Sequence, residues 1–355
     1  MFKKNVPIIF LTKLAIVRIL VVYDDTSCSP TTEPQTFLFA YSNDFSSKTV
    51  LDTWKAFSTL PTFNSFYGSV RFDTENLDIH FNTNIRKVNS TIANDLPNPN
   101  QGFENSTTGS NAFDAIEKFF NNTQAPVCGS IILILLKRYP NEADSSRLVS
   151  IIRSHHAIVH VITSSTPSRG SQTKAMYSVA TRTNGMGAFE PDEHFWDYYY
   201  LKDIGDAFKK KKKLPTGIFI FQAVGWFPIS GTLYPVYATT IQVSGKGKKT
   251  LPDFYPSITG SYLIAITYQD HVPDNSFRSF NLHFFNPGDS GNFKSYPHGS
   301  SDLWDDGNYI AQSFWFLNLD YKMTLDYNYS GHNVQNLQIR VYSSFESSNW
   351  LPYND

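Results

Sequence analysis

The feature that most constrains this chain is a change of pattern at Pro215. Before it, apolar runs of strand length alternate with stretches of helical spacing; after it, Gly, Pro, Asn, Asp and Ser turns separate strands only. Such alternation needs parallel strands joined by crossover helices, so the first half predicts an α/β fold with a doubly wound, mostly parallel sheet. Strands without helices predict a β-sandwich or jelly roll for the second half. The chain's 355 residues give each half room for its own core. The division expected is a leader over 1–27, an α/β domain over 28–213 and a β-sandwich domain over 214–355.

In the first half an opening strand from Thr36 runs into a polar turn, Tyr41 to Ser47, and then a helix reaching Phe57. Strands are predicted at 67–72 and 77–81, a weak helix at 89–96, and a Pro/Asn/Gly-rich loop at 97–106. Ala112, Ala115, Ile116 and Phe119 form the stripe of a helix over 110–120, with Ser110 as N-cap. The continuous apolar run at 129–136 reads as a central strand covered on both faces. Helices at 144–153, 173–183 and 195–208 alternate with strands at 157–162 and about 187–189. Strands of the second half are predicted at 217–226, 233–244, 261–268, 276–285, 312–321 and 337–344. In open α/β sheets ligands bind beyond the carboxyl ends of strands, which puts a first-strand site at the Tyr41–Ser47 turn.

Charged residues are 17% of the chain, aromatics are 15%, and the formal charge is −1 with the signs intermixed. No basic face is large enough to predict nucleic-acid binding. The one exception, Lys209 to Lys213, follows a helical pattern and reads as a solvated helix C-terminus. No G-x-G-x-x-G, P-loop, H-E-x-x-H or C-x-x-C occurs, so dinucleotide, nucleotide, zinc-protease and redox readings lack their minimal parts. Gly288-Asp289-Ser290-Gly291 resembles a serine-protease nucleophile turn, but Asn292 follows it, its flanks read as a hairpin, and no partner His can be placed. His155 and His156 suit a helix C-terminus, and His160, inside a strand, reads as a core residue. No enzyme activity and no cofactor are expected.

The N-terminus has a basic start and an apolar stretch from Val6 to Tyr23, interrupted by Lys13 and Arg18. It resembles a secretory leader, with irregularities, and its two charges argue against a stable transmembrane anchor. N-x-S/T sequons at Asn89, Asn105, Asn121 and Asn328 are candidate glycosylation sites of an exported chain.

The order and spacing of the elements over 36–213 resemble a von Willebrand factor type A domain. The run at 67–72 resembles that family's second strand, Gly109-Ser110 its Gly-Thr loop, and the apolar run ending at Lys137-Arg138 its strand ending in Thr-Asp-Gly. The chain also resembles a narrower set of nematode secreted proteins with a β-rich second half and an ending like that of residues 350–355. The family's adhesion site holds a divalent ion on Asp-x-Ser-x-Ser, a Thr and an Asp, hard oxygen ligands that leave one place for a partner. Here one register puts Tyr41, Asn43 and Phe45 in the first loop, and the other puts Asp44, Ser46 and Lys48 there. Ser110 can stand for the Thr, but Lys137 takes the Asp position, where an ammonium repels a divalent ion and could sit near Asp44 in its place.

No metal is therefore expected, and the remaining polar face is Asn43, Asp44, Ser46, Ser110 and Lys137. The resemblance makes the first and fourth strands parallel neighbours. Cys28 and Cys128 then lie at one end of the sheet, where a disulfide is expected in a secreted chain, with two buried thiols as the alternative.

The function expected is recognition or adhesion outside the cell, toward a protein or glycan, and the resemblance implies a place in defence or matrix biology. The alternatives are a glycan-active hydrolase or lectin-like activity in the second half, with Trp304, Tyr309, Trp315 and Tyr353 as a sugar-binding face, or a structural matrix component.

Overall fold

A computed structural model describes residues 28, 35–58, 66–195, 233–288, 292–300, 307–347 and 349–353. The leader, the Lys209–Lys213 run, the body of the helix expected at 195–208, the strand expected at 217–226, Trp304 and Asp289-Ser290-Gly291 lie outside the described residues. No described helix is long and apolar enough to cross a membrane.

The first half contains β1 (Thr36–Ser42), α1 (Ser47–Ser58), β2 (Phe66–Phe72), β3 (Ile79–Asn82), α2 (Ile85–Asn94), α3 (Ala112–Phe120), β4 (Ile131–Leu136), α4 (Ser146–Ser154), β5 (Ile158–Ser164), α5 (Ala175–Arg182) and β6 (Gly187–Glu190). Its sheet order is β3-β2-β1-β4-β5-β6, with β3 antiparallel at one edge and the other pairings parallel. Side chains alternate across each strand, so β1 sends Leu38 and Ala40 to the face carrying α3, α4 and α5. Its Phe37, Phe39 and Tyr41 go to the face carrying α1 and α2. Burial on both faces explains the unbroken apolar run of β4.

The second half contains β7 (Tyr234–Val243), β8 (Lys246–Phe254), β9 (Gly260–Thr267), β10 (Phe277–Phe285), β11 (Phe293–Gly299), β12 (Tyr309–Phe316), β13 (Tyr321–Tyr329) and β14 (Gln335–Ser343). They form two antiparallel four-stranded sheets, β11-β10-β13-β8 and β12-β9-β14-β7, closed over Ile264, Ile266, Leu282, Phe284, Leu325 and Ile339. The expected sandwich is present, with three corrections to its strands. β8 and β11 are absent from the sequence reading, and the run expected at 312–321 is two strands, β12 and β13, that turn at 317–320. Both missed strands are sheet edges, where Lys246, Lys248 and Lys249 on β8 and Pro297 on β11 break the alternation that marks a buried strand.

The two halves pack through β6. Its open edge is met partly by side chains: Phe189 N donates to Asn308 Oδ1 at 2.6 Å and Gly187 N to Gln338 Oε1 at 2.9 Å, while Asn308 N donates to Phe189 O at 3.2 Å. Leu263, Ala265 and Tyr342, on the outward face of the second sheet, join the cluster of β1, β4 and α1. At the opposite end of the α/β sheet from the carboxyl ends of β1 and β4, Cys28 and Cys128 are joined as a disulfide with Cα atoms 5.7 Å apart. The register pairing Phe37 with Ile131 puts the approaches to β1 and β4 side by side there.

Candidate functional site

At the carboxyl ends of β1, β2 and β4 the turns form a closed polar cluster. Asp44, two residues past β1, takes a two-pronged ion pair from Arg138, two residues past β4: Nε to Oδ2 is 2.9 Å and Nη2 to Oδ1 is 3.1 Å. The Arg138 side chain is 4% exposed. Its remaining Nη1 donates to Thr108 O at 2.9 Å, and its guanidinium lies 5.4 Å from the centroid of the Phe103 ring. Ser168 Oγ adds a 2.5 Å bond to Asp44 Oδ2. The loop bearing Ser168 is drawn over the cluster because Tyr139 N donates to Arg169 O and Ser168 N to Lys137 O. Gly170, at φ +89°, passes so close to Tyr139 that a Cβ would stand 1.9 Å from its carbonyl oxygen.

Beneath this pair lies Asp73, which the sequence reading left out. It is fully buried at the end of β2 in a left-handed conformation, φ 63°. Ser42 donates to its carboxylate, and its backbone N–H is held by Asn111 Oδ1 at 2.7 Å. Burial raises the Asp73 carboxyl to about 7. Hydrogen bonds from Ser110 and Ser42 oppose the shift, the Asp44 charge adds to it, and Arg138 opposes it.

Of the five residues expected to share a polar face, only Asp44 and Ser110 reach this cluster. Asn43 is buried and points elsewhere: its Oδ1 accepts from Asn98 N at 2.8 Å and from Arg71 Nη1 at 2.9 Å, fastening the loop after α2. Ser46 caps α1, accepting from Thr49 N at 3.0 Å. Lys137 turns to the far side of β4, where Nζ meets Asp192 at 2.7 Å and Ser164 and Thr166 at 2.9 Å each.

The cation on Asp44 is therefore Arg138 rather than Lys137. The first-loop residues that face inward are Ser42 and Asp44, a register between the two weighed from sequence. Successive extended residues point to opposite sides, so an offset of one exchanges the sets. Asp73 stands directly past β2, at the same carboxyl end of the sheet that put a site at the Tyr41–Ser47 turn.

The sequons are on the surface at Asn89, Asn105 and Asn121, though Asn89 lies inside α2 rather than at a helix end and accepts from Trp54 Nε1 at 2.7 Å. Asn328 lies in β13, between Ser279 of β10 and Lys246 of β8. The expected aromatic face is not assembled. Tyr309 packs at the junction of the two halves, Tyr353 lies under Arg153 with 4.8 Å from guanidinium to ring, and Trp315 is exposed on the edge strand β12. His160 is a core residue whose Nδ1 accepts from Met186 N at 3.1 Å, and burial lowers it to about 3.

A second candidate lies on the sandwich. The outward face of β11-β10-β13-β8 carries a groove of about 880 Å³, to which Lys246, Lys248, Ser279, Asn281, Asp326 and Asn328 contribute. Among the described residues Asp326 is the only carboxylate in its lining, held by His283 Nε2 at 2.9 Å with Lys248 at 3.7 Å.

The family described as a domain of unknown function (DUF7154) matches residues 239–344, the sandwich from within β7 to the end of β14. Solved structures similar to the chain include a von Willebrand factor type A protein from Catenulispora acidiphila, at 11% identity over 87% of this chain and 58% of that one, TM-score 0.34. The chain thus spans 58% of that protein's length. The SpRpn10 VWA domain is 12% identical over 53% of this chain and all (100%) of that one, TM-score 0.32. The N-terminal half has a von Willebrand factor A-like fold. That statement rests on the strand order and its antiparallel edge. Over 31% of this chain and 89% of its own length, a carbohydrate-binding module from Cellvibrio mixtus lichenase 5A, solved with cellotriose, is similar at 13% identity and TM-score 0.19. No curated protein matches the chain.

Proposed function

We propose that this protein is an extracellular, non-enzymatic recognition protein whose A-like domain works without a metal ion and whose partner is a protein or a glycan. The observation that carries the reading is the Asp44–Arg138 pair. A divalent ion at the top of this sheet needs several hard oxygens free to coordinate it. Here the exposed-side carboxylate is already neutralised by a guanidinium on a two-pronged pair, Ser42 stands at the end of β1 and is turned to Asp73, and Asp73 itself is buried with a carboxyl that resists ionisation. A fixed side-chain cation thus stands where a bound one would otherwise be required, and the donor set does not suit Mg²⁺ or Mn²⁺.

Export is supported by the Cys28–Cys128 bridge, because such bonds persist in oxidising compartments. Binding rather than hydrolysis is supported by the groove on the sandwich, which among the described residues offers one carboxylate where glycoside hydrolysis uses a pair. The test is calorimetric titration of the secreted chain with Mg²⁺ and Mn²⁺. No saturable heat is expected; micromolar binding that Asp44→Ala abolishes would overturn the reading. Recovery of the protein only from the cytosol, without glycans, would remove its extracellular part.

A further inference from the structure

We propose that the groove on the outward face of β11-β10-β13-β8 binds an anionic oligosaccharide, with Lys246 and Lys248 meeting its acid groups. This deepens the recognition reading and rests on it. The register places the outward residues in rows across the four strands. One row runs Gly299, Ser279, Asn328, Lys246, and the next runs Pro297, Asn281, Asp326, Lys248. At a strand spacing of about 4.8 Å, three gaps make a floor roughly 14 Å across. Two amides, a hydroxyl and the Asp326 carboxylate occupy its middle, and the amides and hydroxyl exchange hydrogen bonds with sugar hydroxyls in both directions. Among the described residues the protein itself engages no side-chain polar atom of Ser279, Asn328 or Lys246. Asn281 uses only its Oδ1, accepting from Ser295 at 2.7 Å.

Charge decides the class of sugar. The one carboxylate among the described lining residues, Asp326, is already shared between His283 and Lys248. That leaves Lys246 without an acidic partner among the described residues, at the edge of the floor, where its long stem can reach over a bound chain. At the other end of the same face Phe285 and Phe293 pair across β10 and β11 with 46% and 57% of their surfaces exposed. They offer a flat apolar platform for the C–H face of a ring. A polar floor, an apolar end and an unmatched cation together fit a sugar bearing carboxylate or sulfate groups.

The sequon at Asn328 lies on this floor, so the chain's own glycan is the competing occupant. Asn328→Gln keeps an amide there and removes the sequon.

The experiment is titration of the full secreted chain with a heparin hexasaccharide, a hyaluronan hexasaccharide and chitohexaose, which separate sulfate, carboxylate and neutral sugars. Both anionic sugars, or one of them, are expected to bind, with affinity falling as salt rises. Lys246→Glu/Lys248→Glu should weaken that binding about tenfold or more while leaving the melting temperature unchanged. Lys87→Glu, on exposed α2, should leave it intact. Chitohexaose binding as tightly as the anionic sugars, anionic binding indifferent to the double charge reversal, or binding seen only in Asn328→Gln would each overturn the proposal. No sugar binding, with metal titrations still silent, would sink the groove assignment and leave the recognition reading standing.

Discussion

The sandwich has two outward faces built on the same four-stranded plan, and their side chains have opposite fates. The face of β12-β9-β14-β7 buries Leu263, Ala265, Gln338, Arg340 and Tyr342 against the α/β half, whereas the face of β11-β10-β13-β8 leaves its amides, hydroxyls and lysines open. On the covered face even the polar groups are fastened. Arg340 is 1% exposed and donates to Gly185 O at 3.1 Å, Thr239 O at 2.6 Å and Thr181 O at 3.3 Å. A polar side chain is kept in an interface of this kind when it closes a strand edge, and kept on an open face when it is free to meet something else.

The largest test of that difference is Arg340→Ala. It strips the donor from Gly185 O and Thr181 O across the junction and from Thr239 O in the neighbouring strand β7, and should cost about 3 to 5 kcal/mol in denaturant unfolding. Arg340→Lys should recover little of it, since an ammonium cannot reproduce the spread of the guanidinium donors. A loss below about 1 kcal/mol would break the view that this face is an integral interface.

Next in size is the ion pair at the top of the α/β sheet. Asp44→Ala leaves Arg138 buried and uncompensated and should cost about 2 to 4 kcal/mol. Arg138→Met together with Asp44→Leu should restore much of the loss, because removing both charges also removes their desolvation. A double-mutant cycle showing no coupling between the two would deny that the pair holds these turns together.

Asp73 gives a smaller, pH-dependent effect. Its folded carboxyl keeps its proton up to about 7, while the unfolded one releases it near the ordinary carboxylate value of 3.8. Between these values the folded state binds more protons, so the contribution of this group to stability falls as pH rises from about 4 to 7 and stays low above that. Asp73→Asn removes the charge and should gain on the wild type by about 1 to 2 kcal/mol on moving from acid to mildly alkaline pH, read from urea midpoints. Parallel pH profiles for the two proteins would show that Asp73 is not held protonated.

The fold was legible because its signals are periodic. The apolar run of β4, the stripe of α3 and the switch to strands after Pro215 each repeat often enough to survive local noise. What escaped the sequence lies where the period is broken or its phase matters. β8 and β11 are edges whose lysines and proline hide their alternation. At the site, reading Lys137 for Arg138 is an error of one residue, and past the end of a strand one residue decides which side of the sheet a cation reaches. Asp73 depends on a left-handed turn after β2, and a lone Asp after a strand does not announce that backbone angle. The Arg340 network joins residues 155 and 101 positions apart in sequence, for Gly185 and Thr239 respectively, and no local pattern reports such contacts.

The smallest effects on stability are expected on the open face, and they sharpen the comparison most. Thr324 and Asn281 occupy outward positions of β13 and β10, partly exposed, opposite His283 and Asp326 respectively. Thr324→Ala and Asn281→Ala remove no buried partner beyond the Ser295 bond to Asn281, so each should shift unfolding by no more than about 0.5 kcal/mol. The same Asn281→Ala should still weaken binding of an anionic hexasaccharide several-fold, since the amide is one of the groups that face a bound sugar. A face retained for structure would show the reverse: a clear loss of stability and no change in binding. Measuring both quantities on one substitution therefore distinguishes a surface that is only solvated from one that is kept open for a ligand.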